Sequence, residues 1–75
     1  MSRLPIINSK KLVKVLQKLG FNFKRQHGSH AFFEHRDKRT TIIPMHFGED
    51  IDRGLLIKII KQDLQITRED FVKLL

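Results

Sequence analysis

The sequence predicts an α+β domain of two layers, in which helices cover one face of a three-stranded antiparallel sheet in the order α-β-β-β-α-α. Apolar residues recur with helical spacing near both ends of the chain, whereas residues 21–45 alternate with the period of two that is typical of strands. Short polar turns join the three predicted strands, as in an antiparallel meander. Helices gathered on one side of such a sheet leave its other face open. The 75 residues contain no linker or internal repeat, so we expect a single domain over residues 1–75.

The first helix is predicted to begin at a cap formed by Asn8 or Ser9 and to end before Gly20, which suits the left-handed position after a helix. Its expected apolar face consists of Leu12, Val15, Leu16 and Leu19, with Val13 at the margin. The opposite surface carries Lys10, Lys11, Lys14 and Lys18. Like charges four residues apart, as at positions 10, 14 and 18, each destabilise a helix by about 0.2–0.5 kcal/mol. We therefore weigh phosphate contact by these lysines evenly against a merely solvated helix face.

Aromatic and β-branched residues mark the three short strands. The first strand begins at Phe21 and is predicted to place Phe21 and Phe23 on the core side. A tight turn at His27-Gly28-Ser29 follows it. The remaining predicted elements are a second strand over residues 30–35, a polar turn over 36–39 and a third strand from Thr40 to about Pro44.

Two further helices complete the predicted order. Asp52 is a suitable N-cap for a helix that extends to about Leu64, and acidic residues just before it suit the positive end of that helix. Its expected buried stripe is Leu55, Leu56, Ile59 and Ile60. A capping-box variant and a hydrophobic staple predict a last short helix, and they are formed by Thr67 with Asp70 and by Ile66 with Phe71.

Basic charge is concentrated in the first half of the chain. The chain has 15 Lys and Arg against 8 Asp and Glu, a formal charge of +7, but residues 1–39 hold ten of the cations and only two of the acids. Such a split indicates that one part of the surface meets a polyanion. Nucleic acid is the leading candidate, and an anionic membrane is a distant second.

Size and composition exclude several classes of protein. A chain of 75 residues builds one modest core without room for a buried cofactor, so we expect no cofactor and exclude Rossmann and barrel enzymes. The absence of cysteine excludes disulfides, thiolate zinc sites and cysteine nucleophiles. The apolar runs are too short to span a bilayer and the N-terminus lacks a signal-peptide pattern, so we expect a cytoplasmic protein with no membrane partner.

Histidines raise the question of a metal site, because the chain has four of them. They stand at positions 27, 30, 35 and 46, and no carboxylate joins them in a known ligand pattern. We therefore predict no metal site and interpret these side chains as scattered imidazoles.

The segment from Lys24 to His30 concentrates chemical groups around one hairpin turn, with two cations, one hydroxyl and two imidazoles. A positioned imidazole can move a proton near neutral pH, and neighbouring cations can hold a phosphate. Gly28 would let a phosphate approach the backbone, and successive N–H groups of the turn can form an anion nest. Either Phe32 or Phe33 could stack on an unpaired base, although adjacent strand residues point to opposite faces and at least one should lie in the core. The alternative interpretation is a polar turn with a surface histidine.

Five short motifs follow one another along nearly the whole chain. They are a lysine-rich helix ending in Leu19-Gly20-Phe21, Arg25-Gln26 followed by Gly28-Ser29-His30, Pro44-x-His46, Gly54-Leu55-Leu56-x-x-Ile59-Ile60, and Ile66-Thr67-x-x-Asp70-Phe71. Each motif is weak by itself. The set in this order resembles the HicA toxins, the small mRNA-cleaving members of HicA/HicB toxin–antitoxin pairs.

The resemblance implies a double-stranded-RNA-binding-like α-β-β-β-α fold, to which this chain adds a short C-terminal helix. It implies a metal-independent endoribonuclease whose single catalytic histidine is His30, and it transfers no role to His27. It also implies a HicB-type antitoxin that covers this surface, forms a hetero-oligomer with the toxin and represses the operon through its own DNA-binding part.

On this hypothesis His30 removes the proton of a ribose 2′-OH, which attacks the adjacent phosphate while Lys24 or Arg25 stabilises the developing charge. Such a reaction cuts RNA and spares DNA, which lacks the attacking group. The residues predicted to bind mRNA are Lys10, Lys14, Lys18, Lys24, Arg25, Gly28 and Ser29. The main alternative is a non-catalytic RNA-binding module of the same fold, and a third interpretation is a domain that binds an acidic protein.

Overall fold

The computed structural model describes residues 3–46 and 48–75 and confirms the predicted α+β arrangement. Its elements are α1 (Ser9–Leu19), β1 (Phe21–His27), β2 (His30–His35), β3 (Thr40–Pro44), α2 (Arg53–Lys58), a π-helical segment that continues α2 (Ile59–Leu64), and α3 (Arg68–Lys73). The strands form one antiparallel sheet in the order β1-β2-β3, as expected for a meander. Within the described ranges, the helices are too short to cross a bilayer. Met1, Ser2 and Phe47, which the predicted single domain includes, lie outside the described residues.

Of the two residues predicted as the N-cap of α1, Asn8 is the cap and Ser9 is the first helical residue. The Asn8 side chain accepts a hydrogen bond from the backbone N–H of Lys11 at 2.9 Å. At the other end Gly20 has a φ of 97°, and its N–H bonds to two carbonyls of the last turn. A Cβ on this glycine would lie 3.1 Å from Nε2 of His35. Both the left-handed backbone and the available space therefore favour glycine here.

The sheet has a covered face and an open face. Ala31, Phe33 and Ile43 point toward the helices and are at most 3% exposed. Phe32 and Ile42 point the other way, and Ile42 is 52% exposed. The prediction of an uncovered sheet face is thus confirmed, and of the two adjacent phenylalanines one lies in the core and the other on the open face. Side chains on the open face are Lys24, Arg25, His27, His30, Phe32, Glu34 and Ile42.

A β-bulge at Lys24 interrupts the pairing of β1 with β2. Phe23 pairs with Phe33, and two residues later Arg25 pairs with the adjacent Phe32. Lys24 is the extra residue, and the bulge lets it share the open face with Arg25. Two neighbouring cations therefore point to the same side of a strand, which regular alternation would forbid.

Phe23 departs from the prediction that placed it on the core side with Phe21. Phe21 is 2% exposed, whereas Phe23 is 56% exposed. The ring of Phe23 packs edge-to-face on Phe33 at 5.7 Å between centroids, so it does point to the covered face. Because β1 is an edge strand, the helix layer does not extend over this margin of the sheet. The predicted orientation is correct and the predicted burial is wrong.

The helix predicted from Asp52 to Leu64 changes its winding at Ile59. Asp52 caps α2 by accepting the N–H of Leu55 at 3.1 Å, and the segment ends where Gln65 takes a left-handed φ of 58°. Most of the predicted apolar stripes are buried to 1% exposure or less, namely Leu12, Val15, Leu16, Leu56, Ile59 and Ile60, together with Leu64. Leu19 and Leu55 pack only at the margin of the core.

The last helix begins as predicted. The Thr67 hydroxyl accepts a hydrogen bond from the N–H of Asp70 at 3.0 Å, and Phe71 is fully buried. Full burial of a phenylalanine contributes about 1.5–3 kcal/mol. The short C-terminal helix therefore closes the core, and it also receives a hydrogen bond from Lys18 of α1, whose Nζ donates to the Leu74 carbonyl at 2.7 Å.

Candidate functional site

The β1–β2 turn holds two histidines directly opposite each other. His27 ends β1, His30 begins β2, and the two are cross-strand partners separated only by Gly28 and Ser29. Gly28 has a φ of 57° and Ser29 does not have a positive φ, which is the sign pattern of a type II′ hairpin turn with glycine first. A Cβ on Gly28 would meet nothing within 4 Å, so the glycine serves the backbone conformation and leaves open space above it.

Hydrogen bonds from two sides hold this turn in place. The backbone N–H of Met45, which follows β3, donates to the Ser29 carbonyl at 2.6 Å. The Gln26 side chain donates to the Gly28 carbonyl at 2.9 Å. The carbonyls of both turn residues thus accept hydrogen bonds. These bonds fix the backbone that carries the two flanking histidines.

His30 lies on the open face and is exposed. Its neighbours across the sheet are His27 on β1 and Pro44 on β3. An exposed imidazole at the end of a sheet, with a helix layer only on the other side, is accessible to a large ligand such as a nucleic acid.

Two cations share the open face with His30, but they are held differently. Nζ of Lys24 lies 3.6 Å from a carboxylate oxygen of Glu34, so part of its charge is neutralised. The Arg25 guanidinium lies 4.6 Å from the centre of the Phe32 ring, a cation–π contact that leaves its N–H groups able to bind an anion. Arg25 pairs with Phe32 and is therefore diagonal to His30, a relation that puts side chains roughly 7–8 Å apart. Arg25 is better placed than Lys24 to act with His30.

The predicted lysines of α1 lie on the other side of the sheet and do not form one group. Lys10 and Lys14 line a groove of about 700 Å³ between α1 and the segment that follows β3, and its lining includes Val13, Met45 and, from the hairpin, Gln26. Lys18, one turn further along α1, is bonded instead to the Leu74 carbonyl. The three lysines that were predicted to act alike therefore differ. Lys10 and Lys14 line the groove, whereas the Lys18 ammonium group bonds to the C-terminal segment.

The turn lies between these two surfaces. On the open face it carries His27 and His30, and on the other side the Gln26 side chain lines the groove with the lysines. Of the predicted site, the structure brings together Arg25, Lys24, His30 and the turn residues, whereas the lysines of α1 approach the same turn from the helix side.

Several groups at this site were not assigned by sequence reasoning. They are His27 as the cross-strand partner of His30, Phe32 as the support of Arg25, and Gln26 and Met45 as anchors of the turn. A signal for the first was present, because a two-residue loop necessarily makes its flanking residues cross-strand partners. The contact of Arg25 with Phe32 depends on the bulge, and the hydrogen bond of Met45 depends on how β3 pairs with β2, neither of which has a local signal in the sequence.

His35, by contrast, is part of the structure of the fold. Its Nε2 lies 3.0 Å from the Leu19 carbonyl, its Nδ1 accepts the N–H of Asp37 at 3.1 Å, and its ring packs edge-to-face on Phe21. The backbone N–H of Arg39 donates to Asp37 and holds the pKa of that carboxyl below its ordinary value.

Within residues 3–46 and 48–75, no three His, Asp or Glu side chains are grouped so that they could hold a metal ion.

Comparison with known proteins bears on the family of the chain. A search among proteins of curated function finds no match. The family model described as the HicA toxin of bacterial toxin–antitoxin systems matches residues 9–63, which include α1, the whole sheet and most of the following helix. Because this match covers well over half of the 75 residues, the chain belongs to the HicA toxin family of bacterial toxin–antitoxin systems.

Proposed function

We propose that the protein is the ribonuclease of a HicA/HicB-type pair and that it cleaves mRNA at a site built around His30. The observation that carries the proposal is the exposed His30 imidazole on an uncovered, basic sheet face, with the Arg25 guanidinium held diagonal to it. Membership of a toxin family supports an activity that harms the cell. An imidazole beside a guanidinium suits the cleavage of a phosphodiester.

In the proposed reaction His30 accepts the proton of a ribose 2′-OH. The 2′-oxygen then attacks the adjacent phosphorus, the bond from phosphorus to the 5′-oxygen breaks, and the 5′-oxygen takes up a proton. The products are a 2′,3′-cyclic phosphate and a 5′-hydroxyl. Arg25 binds the non-bridging oxygens, on which negative charge increases in the transition state. General acid–base catalysis by one residue contributes about 10²–10⁴-fold, so we expect a slow enzyme, which suffices when one cut inactivates a message.

The remaining predicted residues bind the RNA on either side of the cleaved bond. Lys10 and Lys14 hold phosphates along the groove, the backbone at Gly28 and Ser29 meets the strand as it crosses the turn, and Lys24 adds positive charge on the open face. Lys18 contributes less than the sequence predicts, because its ammonium group is bonded to the end of the chain.

A HicB-type antitoxin is the proposed inhibitor, and mRNA in the cytoplasm is the proposed substrate. The antitoxin would cover the open face, where the half-buried Phe32 and the exposed Ile42 lie among basic side chains. Covering His30 in such a hetero-oligomer blocks cleavage without any change in the fold of the toxin.

The test compares the wild-type protein with His30→Ala on an RNA oligonucleotide and on the same sequence made of DNA. We expect the wild type to cleave the RNA in the presence of EDTA and to leave the DNA intact. His30→Ala should bind RNA with nearly unchanged affinity and lose cleavage by about 10²-fold or more. Cleavage by His30→Ala at the wild-type rate would contradict the proposal. RNA binding by the wild type without any cleavage would favour the alternative, a non-catalytic RNA-binding module.

A further inference from the structure

His27 and His30 form a pair that the reaction proposed above does not fully use. They are directly opposite on antiparallel strands, both are exposed, and both point to the open face. Directly opposite residues have Cβ atoms roughly 4.5–5.5 Å apart. The two-residue turn fixes this spacing, and the hydrogen bonds to Gly28 and Ser29 fix the turn.

Cleavage of RNA by its own 2′-hydroxyl needs two proton transfers. One removes the proton from the attacking oxygen, and the other supplies a proton to the 5′-oxygen as its bond to phosphorus breaks. The two oxygens lie on opposite sides of one phosphorus, so a single imidazole cannot contact both at once. Water must supply the second proton unless a second acid stands nearby.

We propose that His27 is this second group, a general acid that protonates the leaving 5′-oxygen while His30 acts as general base. The inference rests on the proposed ribonuclease function. It makes the β1–β2 turn a two-imidazole site, in which a phosphate lies between the side chains and Arg25 binds its non-bridging oxygens.

The other charged groups on the open face do not suit this role. Arg25 does not release a proton in proteins, and Lys24 is paired with Glu34, whose position on β2 is beyond Phe32 from the turn. The facing residues of β3 are Thr40, Ile42 and Pro44, none of which titrates. His46, which follows β3, lines the groove with the lysines of α1. Among the described residues of the three strands, His27 is thus the titratable group directly opposite His30.

The proton balance of the step is complete with these two residues. Neutral His30 takes the proton from the 2′-hydroxyl as the new bond from the 2′-oxygen to phosphorus forms. Protonated His27 gives its proton to the 5′-oxygen as the bond from phosphorus to that oxygen breaks. The enzyme is left with a protonated His30 and a neutral His27, and proton exchange with water restores both.

The experiment uses two RNA substrates of the same sequence. One has the ordinary 5′-oxygen at a single cleavable linkage, and the other has sulfur in its place, because a thiolate leaves without needing a proton. The variants are His27→Ala and His30→Ala, and the control is Arg36→Ala, which removes an exposed cation from the turn at the opposite end of the sheet. Circular dichroism and thermal unfolding verify that each variant is folded.

We expect His27→Ala to cleave the ordinary substrate about 10²-fold more slowly than the wild type and to recover nearly the wild-type rate on the sulfur substrate. His30→Ala should be slow on both substrates, and Arg36→Ala should be normal on both.

Two outcomes would overturn the inference while leaving the proposed function intact. The first is a His27→Ala variant that cleaves the ordinary substrate at the wild-type rate while His30→Ala does not. The second is a His27→Ala variant that is equally slow on both substrates, which would make His27 a binding residue only. Failure of the proposed function itself would be recognised separately, by cleavage that does not depend on His30.

Discussion

The two ends of the sheet use the same kinds of side chain in opposite ways. The end at the β2–β3 turn contains His35, Asp37 and Arg39, which bond to one another or to backbone carbonyls of other elements. The end at the β1–β2 turn contains His27 and His30, which are exposed on a face that none of the described helices covers. Histidine is therefore a structural group at one end and an accessible one at the other.

The lysines of α1 also differ between the two ends of the sheet, with a bonded side chain at one end and groove-lining side chains at the other. Lys18 lies at the β2–β3 end, where it bonds to the Leu74 carbonyl. Lys10 and Lys14 lie at the β1–β2 end and line the groove beside the hairpin. Under the proposed function, phosphates of the bound RNA offset the repulsion between Lys10 and Lys14, which lie one helical turn apart.

The contrast between the two ends predicts that two histidine substitutions differ in how much they lower the free energy of unfolding. His35→Ala removes the hydrogen bond at the partly buried Leu19 carbonyl and the ring contact with Phe21. Leaving such a group unpaired costs about 1–3 kcal/mol of unfolding free energy. His30→Ala, at an exposed position, should change that free energy by less than about 0.5 kcal/mol. Urea unfolding of the two purified variants measures both values.

This pair of variants also provides its own control. His30→Ala should lose RNA cleavage while it keeps its stability, and His35→Ala should keep cleavage at temperatures where it remains folded. Equal destabilisation by both substitutions would break the comparison, because His30 would then be a structural residue as well.

Much of this organisation could be predicted from the sequence, and the reasons are local. Asn8 and Gly20 mark the ends of α1, and His27-Gly28-Ser29 marks the hairpin turn, because capping and turn conformations demand particular residues. The chemistry of the turn pointed to both of its imidazoles, and only the family resemblance selected His30, which lies exposed and diagonal to Arg25.

What could not be predicted depends on tertiary packing. The bulge at Lys24 has no local signal, although it decides which cations share a face with His30. Phe23 is exposed because the helix layer ends short of the edge strand, and the π-helical winding from Ile59 accompanies the packing of that segment on the sheet. Lys18 looks the same as Lys14 in the sequence, and only the position of the C-terminal helix distinguishes them.

The division of the lysines can be tested by the salt dependence of RNA binding. Lys10→Gln and Lys14→Gln should each lower the slope of log affinity against log salt by about 0.7–1, since each removes one phosphate contact. Lys18→Gln changes the net charge equally and is the matched control, with a smaller change in slope expected. Equal changes for all three variants would mean that α1 binds RNA as one continuous ridge, contrary to the division between the two ends.

Substitution of Asp37, at the β2–β3 end, should have the smallest effect of these changes, and that effect is on stability. The N–H of Arg39 donates to its carboxylate at 3.0 Å and lowers the pKa of Asp37 below its ordinary value of 3.8, and the neighbouring charges of Arg39 and His35 act in the same direction. A lowered pKa means that the ionised carboxylate stabilises the fold above pH 3.8, and that this contribution is lost as the pH falls through the folded-state pKa. The difference in melting temperature between wild type and Asp37→Asn should therefore be constant near neutral pH and shrink from about pH 5 downward. A difference for Asp37→Asn that grows as the pH falls would contradict the assigned direction and would mean that the carboxylate is held in its neutral form.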